Sequence, residues 1–200
     1  MALTKLNNKA VANVTSIPVA LGDMVLVSSA TASSSASIEF TLGNYKEYQF
    51  YFINLNVNTD IYGIDFTFST DNGSTYQTVP MTTTGFVATH YENDSATNLT
   101  YASAITAIAD GDNTDMTLNN RLSTDADHGG INGYMSFFNP SSTTFVKHFI
   151  GRTSRVHDSD IAGDVYIAGY ANTTSAITNI KFFPTAGNIN IGTILMYGLN

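Results

Sequence analysis

The sequence predicts an all-β fold: a jelly-roll-like antiparallel β-sandwich over residues 23–200, preceded by an extended N-terminal arm over residues 1–22. Three observations predict it. Helical periodicity is nearly absent, whereas alternation at period two, built from β-branched and aromatic residues, recurs from Met24 to the end of the chain. About a dozen such segments, short and evenly spaced, are the signature of a sandwich or barrel, and no longer internal repeat points to a propeller or solenoid. Residues with turn chemistry punctuate them, as in Asp71-Asn72-Gly73 and Asn139-Pro140-Ser141-Ser142.

Taken in order, residues 1–22 mix small and β-branched side chains with Pro18 and Gly22 and show no clean period. They read as a docking arm, with Leu3, Lys5, Leu6, Val11 and Val14 as the anchoring side chains. Strands are expected at 23–28, at 36–42 with Ile38, Phe40 and Leu42 on one face, at 48–57, at 62–69 with Ile64, Phe66 and Phe68 inward, and at 82–90. Further strands are expected at 98–108, 114–122, 132–138, 144–151, 164–171, 177–183 and 191–198. The loop at 28–37 is a run of Ser, Ala and Thr with no decided role. Asp71-Asn72-Gly73 supplies positive φ for a tight hairpin, and Pro140 ends one strand and turns the chain, which makes 134–150 a second hairpin.

Segment 48–57 starts Tyr-Gln-Phe-Tyr-Phe-Ile and is apolar on both faces. One face meets the intersheet core, so the other is expected to meet the arm or a second subunit, with Phe50, Tyr51 and Phe52 as interface candidates. The assembly expected is a symmetric homo-oligomer, with a homotrimer first.

Composition narrows the function. Charged residues are only 12% of the chain, while 65 of its 200 residues are Ser, Thr or Asn, so hydroxyls and amides solvate the surface. That balance suits extracellular or particle-surface β-proteins better than metabolic enzymes. Eight basic against sixteen acidic residues leave a net charge of −8, which repels phosphate and argues against nucleic-acid binding. With no cysteine, neither disulfides nor thiolate metal sites can form, and stability must come from packing or assembly. No membrane insertion and no secretory leader are expected, because no basic-then-apolar start and no long apolar window occur.

Motifs for chemistry are missing: no Gly-x-Ser-x-Gly elbow, phosphate-cradling glycine loop or His-Glu-x-x-His occurs, so no enzyme and no cofactor is expected. The densest acidic cluster is His157-Asp158-Ser159-Asp160 with Asp164. It fails the EF-hand pattern because Ala162 stands where a third ligand belongs, which leaves an irregular Ca²⁺ site or a solvated loop. The remaining candidates are sugar contacts. Phe86, His90, Tyr91 and Tyr101 flank Glu92-Asn93-Asp94-Ser95, and rings beside amides and carboxylates can cover a sugar's apolar face while pairing its hydroxyls. The longest polar connections are expected at 91–97, 109–114, 123–131 and 152–163. From these, Tyr91, Asn93, Asp94, Arg152, Arg155 and His157 are the foremost glycan-contact candidates, with Asp112, Asn113, Asp127 and His128 beside them.

Several strings resemble a known group. The opening Met-Ala-Leu-Thr-Lys-Leu-Asn-Asn-Lys-Ala-Val-Ala-Asn-Val-Thr is similar to the start of tail-fibre-like proteins of tailed bacteriophages, especially marine and cyanobacterial ones. Phe66 to Tyr76 (Phe-Thr-Phe-Ser-Thr-Asp-Asn-Gly-Ser-Thr-Tyr), Phe138 to Phe149, Gly169 to Ile177 and Gly187 to Leu199 resemble a small β-domain of that group. The resemblance implies a non-enzymatic virion structural protein on the particle surface, made in the host cytoplasm. The chain has no shaft repeat or coiled coil between arm and domain, so a short tail fibre or tail-associated adhesin contacting host-surface glycans stands beside a capsid decoration or collar protein. The arm would then hold other virion proteins.

Overall fold

The computed structural model describes residues 24–101, 115–125 and 127–200. The arm with its candidates Leu3, Lys5, Leu6, Val11 and Val14, and Asp112 and Asn113 of the 109–114 connection, lie outside the described residues. Twelve strands follow one another: β1 (Val25–Thr31), β2 (Ile38–Thr41), β3 (Glu47–Val57), β4 (Ile64–Ser69), β5 (Met81–Tyr91), β6 (Thr97–Tyr101), β7 (Asp115–Asn119), β8 (Ile131–Phe138), β9 (Lys147–His157), β10 (Ile161–Ala171), β11 (Asn179–Pro184) and β12 (Ile189–Leu199). All neighbouring strands pair antiparallel.

The strands form a large sheet in the order β1-β12-β3-β8-β9-β10-β5-β6 and a small sheet in the order β2-β11-β4-β7. The sandwich is therefore the expected jelly roll with two insertions. Strands β1-β12-β3-β8 and β2-β11-β4-β7 are its two four-stranded sheets, with the chain crossing between them as jelly-roll connections do. Hairpins β5-β6, inserted between β4 and β7, and β9-β10, inserted between β8 and β11, widen only the large sheet.

Alternation places the core. From β3, Tyr48, Phe50 and Phe52 point inward and are buried, as are Met135 and Phe137 from β8, Phe149 from β9 and Ile194 and Met196 from β12. Opposite them stand Phe40, Phe66, Phe68, Ile180 and Phe182 of the small sheet. Their rings interlock, with Phe68 stacked on Phe137 at 4.6 Å and Phe66 edge-on to Phe149 at 5.2 Å. Such rings supply large buried area and specific geometry in a chain that has no cross-links.

Two expectations need correction here. Phe50 and Phe52 are not subunit-interface residues: period two turns both into the intersheet core, where 0% and 1% of their surfaces are exposed, and only Tyr51 between them faces outward. The turn at Asp71-Asn72-Gly73 has its left-handed residues, with φ of 61° at Asn72 and 80° at Gly73, but it does not close a hairpin. Strand β4 before it belongs to the small sheet and β5 after it to the large one. The Asp71 carboxylate instead ties the turn internally, accepting from the Ser69 and Thr75 hydroxyls at 2.6 Å each. The hairpin expected at 134–150 is present as β8-β9.

Candidate functional site

The segment expected as a polar loop at 152–163 is mostly strand. Strand β9 runs to His157 and β10 starts at Ile161, so only a tight turn separates them. This relocates three of the six glycan-contact candidates. Arg152 projects from the outer face of the large sheet, where Nε and Nη2 donate to the two Asp164 carboxylate oxygens at 3.0 and 2.8 Å. Arg155 is three residues further along and points inward: only 7% of it is exposed, and it donates to Asn119 Oδ1 at 2.9 Å and to the Asn120 carbonyl. Its side chain therefore belongs to the inward face of β9, committed to Asn119 and Asn120. Burial pushes its guanidinium down to about 10.

His157 ends β9 inside a knot of charges. Its Nε2 accepts from Arg121 Nε at 2.7 Å, its Nδ1 lies 2.9 Å from Asp158, and Arg121 Nη2 donates to Asp158 at 3.0 Å. Burial lowers the imidazole below its ordinary range, so the ring is neutral at pH 7 while Asp158 is matched by Arg121. Asp158 is thus committed to Arg121 and Asp164 to Arg152, on different parts of the fold. Among the described residues no group of three or more His, Cys, Asp or Glu is placed to hold a metal ion.

The other three candidates come together with a second turn. Tyr91 ends β5, and Asn93 and Asp94 lie in the β5-β6 turn, where the Asp94 carboxylate stands 3.0 Å from His90 Nε2. The neighbouring β9-β10 turn is pinned to it by a backbone bond from Glu92 N–H to the Asp160 carbonyl at 3.1 Å. Between the two turns lies an open cleft of about 350 Å³ lined by Tyr91, Glu92, Asn93, Ser159 and Asp160. Left-handed backbone at Asp94 and Asp160, with φ of 58° and 54°, shapes both turns. The cleft offers one ring, one amide, one hydroxyl and two carboxylates, which is a hydrogen-bonding set for an uncharged polyol. Asp127 and His128 lie in the 123–131 connection, with His128 Nδ1 2.8 Å from Ser123 Oγ, and they do not line it.

Sequence reasoning missed a larger surface on the outer face of the large sheet. Leu195, Tyr51, Tyr134, Arg152, Tyr166, Phe86 and Tyr101, from seven adjacent strands, are successive cross-strand partners in one transverse row. Phe86 stacks on Tyr166 at 4.6 Å, and the Arg152 guanidinium lies 4.9 Å from the centre of the Tyr166 ring. Tyr51 leans edge-on to Tyr197 at 5.7 Å. Around the row, Leu26, Ile53, Leu99 and Ile150 stand exposed. The sequence singled out Tyr51, Phe86, Tyr101 and Arg152 separately and for different roles, but their alignment with Tyr134 and Tyr166 in one row depends on register.

No protein-family model, curated protein or solved structure matches this chain.

Proposed function

We propose that the protein is a non-enzymatic structural component on the exterior of a tailed-bacteriophage particle, acting as a short tail-associated adhesin that contacts host-surface glycan. The observation that carries the glycan role is the cleft between the β5-β6 and β9-β10 turns, where Tyr91, Asn93, Ser159 and Asp160 converge from two segments distant in sequence. It sits on loops held by a rigid sheet, the usual place for recognition on a sandwich. The resemblance of the opening and closing strings to phage tail-fibre-like proteins, together with a surface solvated by hydroxyls and amides, supports placement on a particle. One such cleft binds a sugar weakly, and many copies on one particle turn weak contacts into attachment.

The broad apolar outer face favours a second reading, a capsid decoration or collar protein whose role is adhesion between particle components. Copy number in purified virions separates the two, with a few to a few dozen expected for a tail-associated adhesin and hundreds for a decoration. In parallel, Tyr91→Ala and Asp160→Asn are expected to slow phage adsorption several-fold while copy number and melting temperature stay at wild-type values. Wild-type adsorption by both variants would reject the cleft as the glycan contact.

A further inference from the structure

The outer face of the large sheet gathers exposed rings and aliphatic side chains on one surface. Its row of rings crosses seven strands, and four of its members or neighbours, Phe86, Tyr134, Ile53 and Ile150, are each more than two-fifths exposed. The rings are also fixed before any partner arrives, because Phe86, Tyr166 and Arg152 are layered on one another. Tyr, Phe and Arg are the side chains enriched at interface centres, and pre-ordered ones lose little entropy on contact. Layering also covers the faces of Tyr166, so the row presents edges and aliphatic knobs more than free ring faces, which suits protein packing better than sugar stacking.

Charge and size indicate what covers it. On a chain of net charge −8, this face carries three charged side chains among the described residues: Arg152 and Asp164, which neutralise each other, and Glu47 at its end, bonded by Gln49 at 3.0 Å. Two copies of an acidic chain can therefore approach on this face without strong repulsion. Eight strands about 4.8 Å apart and about seven residues of usable length give a projected face of roughly 800 Å², near the area per partner of a stable protein interface. Shallow troughs of about 460 and 350 Å³ beside Tyr134, lined by Tyr51, Ile53, Leu195 and by Phe86, Ile150, Tyr166, give knobs from a facing sheet somewhere to seat.

We propose that a second copy of this chain docks on this face, sheet against sheet, with Tyr134 and Ile150 near the middle of the contact. Where the sequence favoured three copies, a face that meets itself closes at two. The proposal is independent of the glycan cleft, which lies at the end of the sheet.

Sedimentation of the full chain at about 10 µM, the range in which a standard interface is populated, tests it. The expected mass is twice 21.5 kDa for wild type and 21.5 kDa for Tyr134→Glu and Ile150→Glu. These variants place a carboxylate in the centre of the contact and should weaken association at least about 100-fold while circular dichroism and melting stay native. Because the chain has no cysteine, a single thiol reports only its own contact: Ile150→Cys should cross-link between copies on mild oxidation, and Glu39→Cys on the small sheet should not. If either Glu variant fails to fold, the thiol pair decides. A wild-type monomer, or glutamate variants that keep the doubled mass, would overturn the proposal; a monomer whose Tyr134 is protected only inside virions would assign the face to a different particle protein.

Discussion

Asp65 makes the stability of this fold depend on pH in the sense opposite to most carboxylates. It lies on β4 between Thr117 of β7 and Phe183 of β11, and its Oδ1 is buried without a hydrogen-bond partner. Burial is the dominant cause that lifts its carboxyl from 3.8 to about 6; the nearby Asp115 adds to the rise, and a hydrogen bond with Thr117 offsets part of it. A folded-state value above the unfolded one means the folded chain holds the proton more tightly. The contribution is therefore fully present below about 3.8 and is lost as pH rises through about 6. The full gap corresponds to about 3 kcal/mol, and roughly half of that is recovered by about pH 5.

Replacing the carboxylate by an amide, Asp65→Asn, removes the ionisation and keeps an acceptor for Thr117. It also leaves a buried N–H without an acceptor, at about 1 kcal/mol. The net expectation near pH 8 is a gain of about 2 kcal/mol, or roughly 4–8 °C in melting temperature for a chain of this size. Near pH 5 the gain should shrink to within about 1 kcal/mol of zero. Differential scanning calorimetry of both proteins at the two pH values reads the change, because titrating groups not coupled to Asp65 cancel in the difference and the coupling to Asp115 is the smallest of the contributions to its shift. A melting gap that is the same at both pH values, or a variant less stable near pH 8, would show that Asp65 titrates as an ordinary solvated carboxylate and refute the reasoning.

Two further outcomes follow from the strand faces. Arg155→Ala strips the donor from Asn119 and Asn120 and opens the space its side chain fills. Urea unfolding should show a loss of about 2–4 kcal/mol, while adsorption per folded copy stays at the wild-type level; reduced adsorption with native stability would mean that Arg155 reaches the surface. Phe50→Ala should cost about 3–5 kcal/mol through the cavity it leaves, whereas Tyr51→Ala, one residue away on the opposite face, should cost less than about 1 kcal/mol in the monomer and act on association instead. Equal losses of monomer stability in the two variants would contradict the facing of β3.

Much of the fold was legible because strand existence is a local property. Val, Ile, Phe and Tyr at alternate positions announce a half-buried strand wherever they occur, and each of the twelve strands overlaps an expected segment. What was not legible depends on distant parts of the chain. The polarity of Arg152, Ser154 and Arg155 suggested a loop, since inward polar residues such as Thr153 and Arg155 break the alternation; their partners, Asn119 and Asn120, sit more than thirty residues upstream. Turn chemistry at Asn72-Gly73 specified the backbone correctly and said nothing about which sheet the next strand would join. The row from Leu195 to Tyr101 exists only through register, and no spacing in the sequence connects Tyr51 to Tyr134 or Phe86 to Tyr166. The cleft was half legible: the sequence singled out both turns and could not place one against the other.

Both candidate surfaces come from the same modification of the jelly roll. A bare eight-stranded sandwich ends its large sheet at β8, and the hairpins inserted at β5-β6 and β9-β10 meet through the β5-β10 pairing, which runs from Ile161 opposite Tyr91 to Ala171 opposite Met81. That single pairing brings Arg152, Tyr166, Phe86 and Tyr101 into line and sets the two hairpin tips side by side. The cleft is lined by residues of the two hairpin turns and by none of the row, so a partner seated on the row need not occupy the cleft. In the proposed arrangement a pair of copies joined through the faces carries two clefts on one rigid body. A weak site then gains from effective concentration within the pair before the many copies on a particle add theirs.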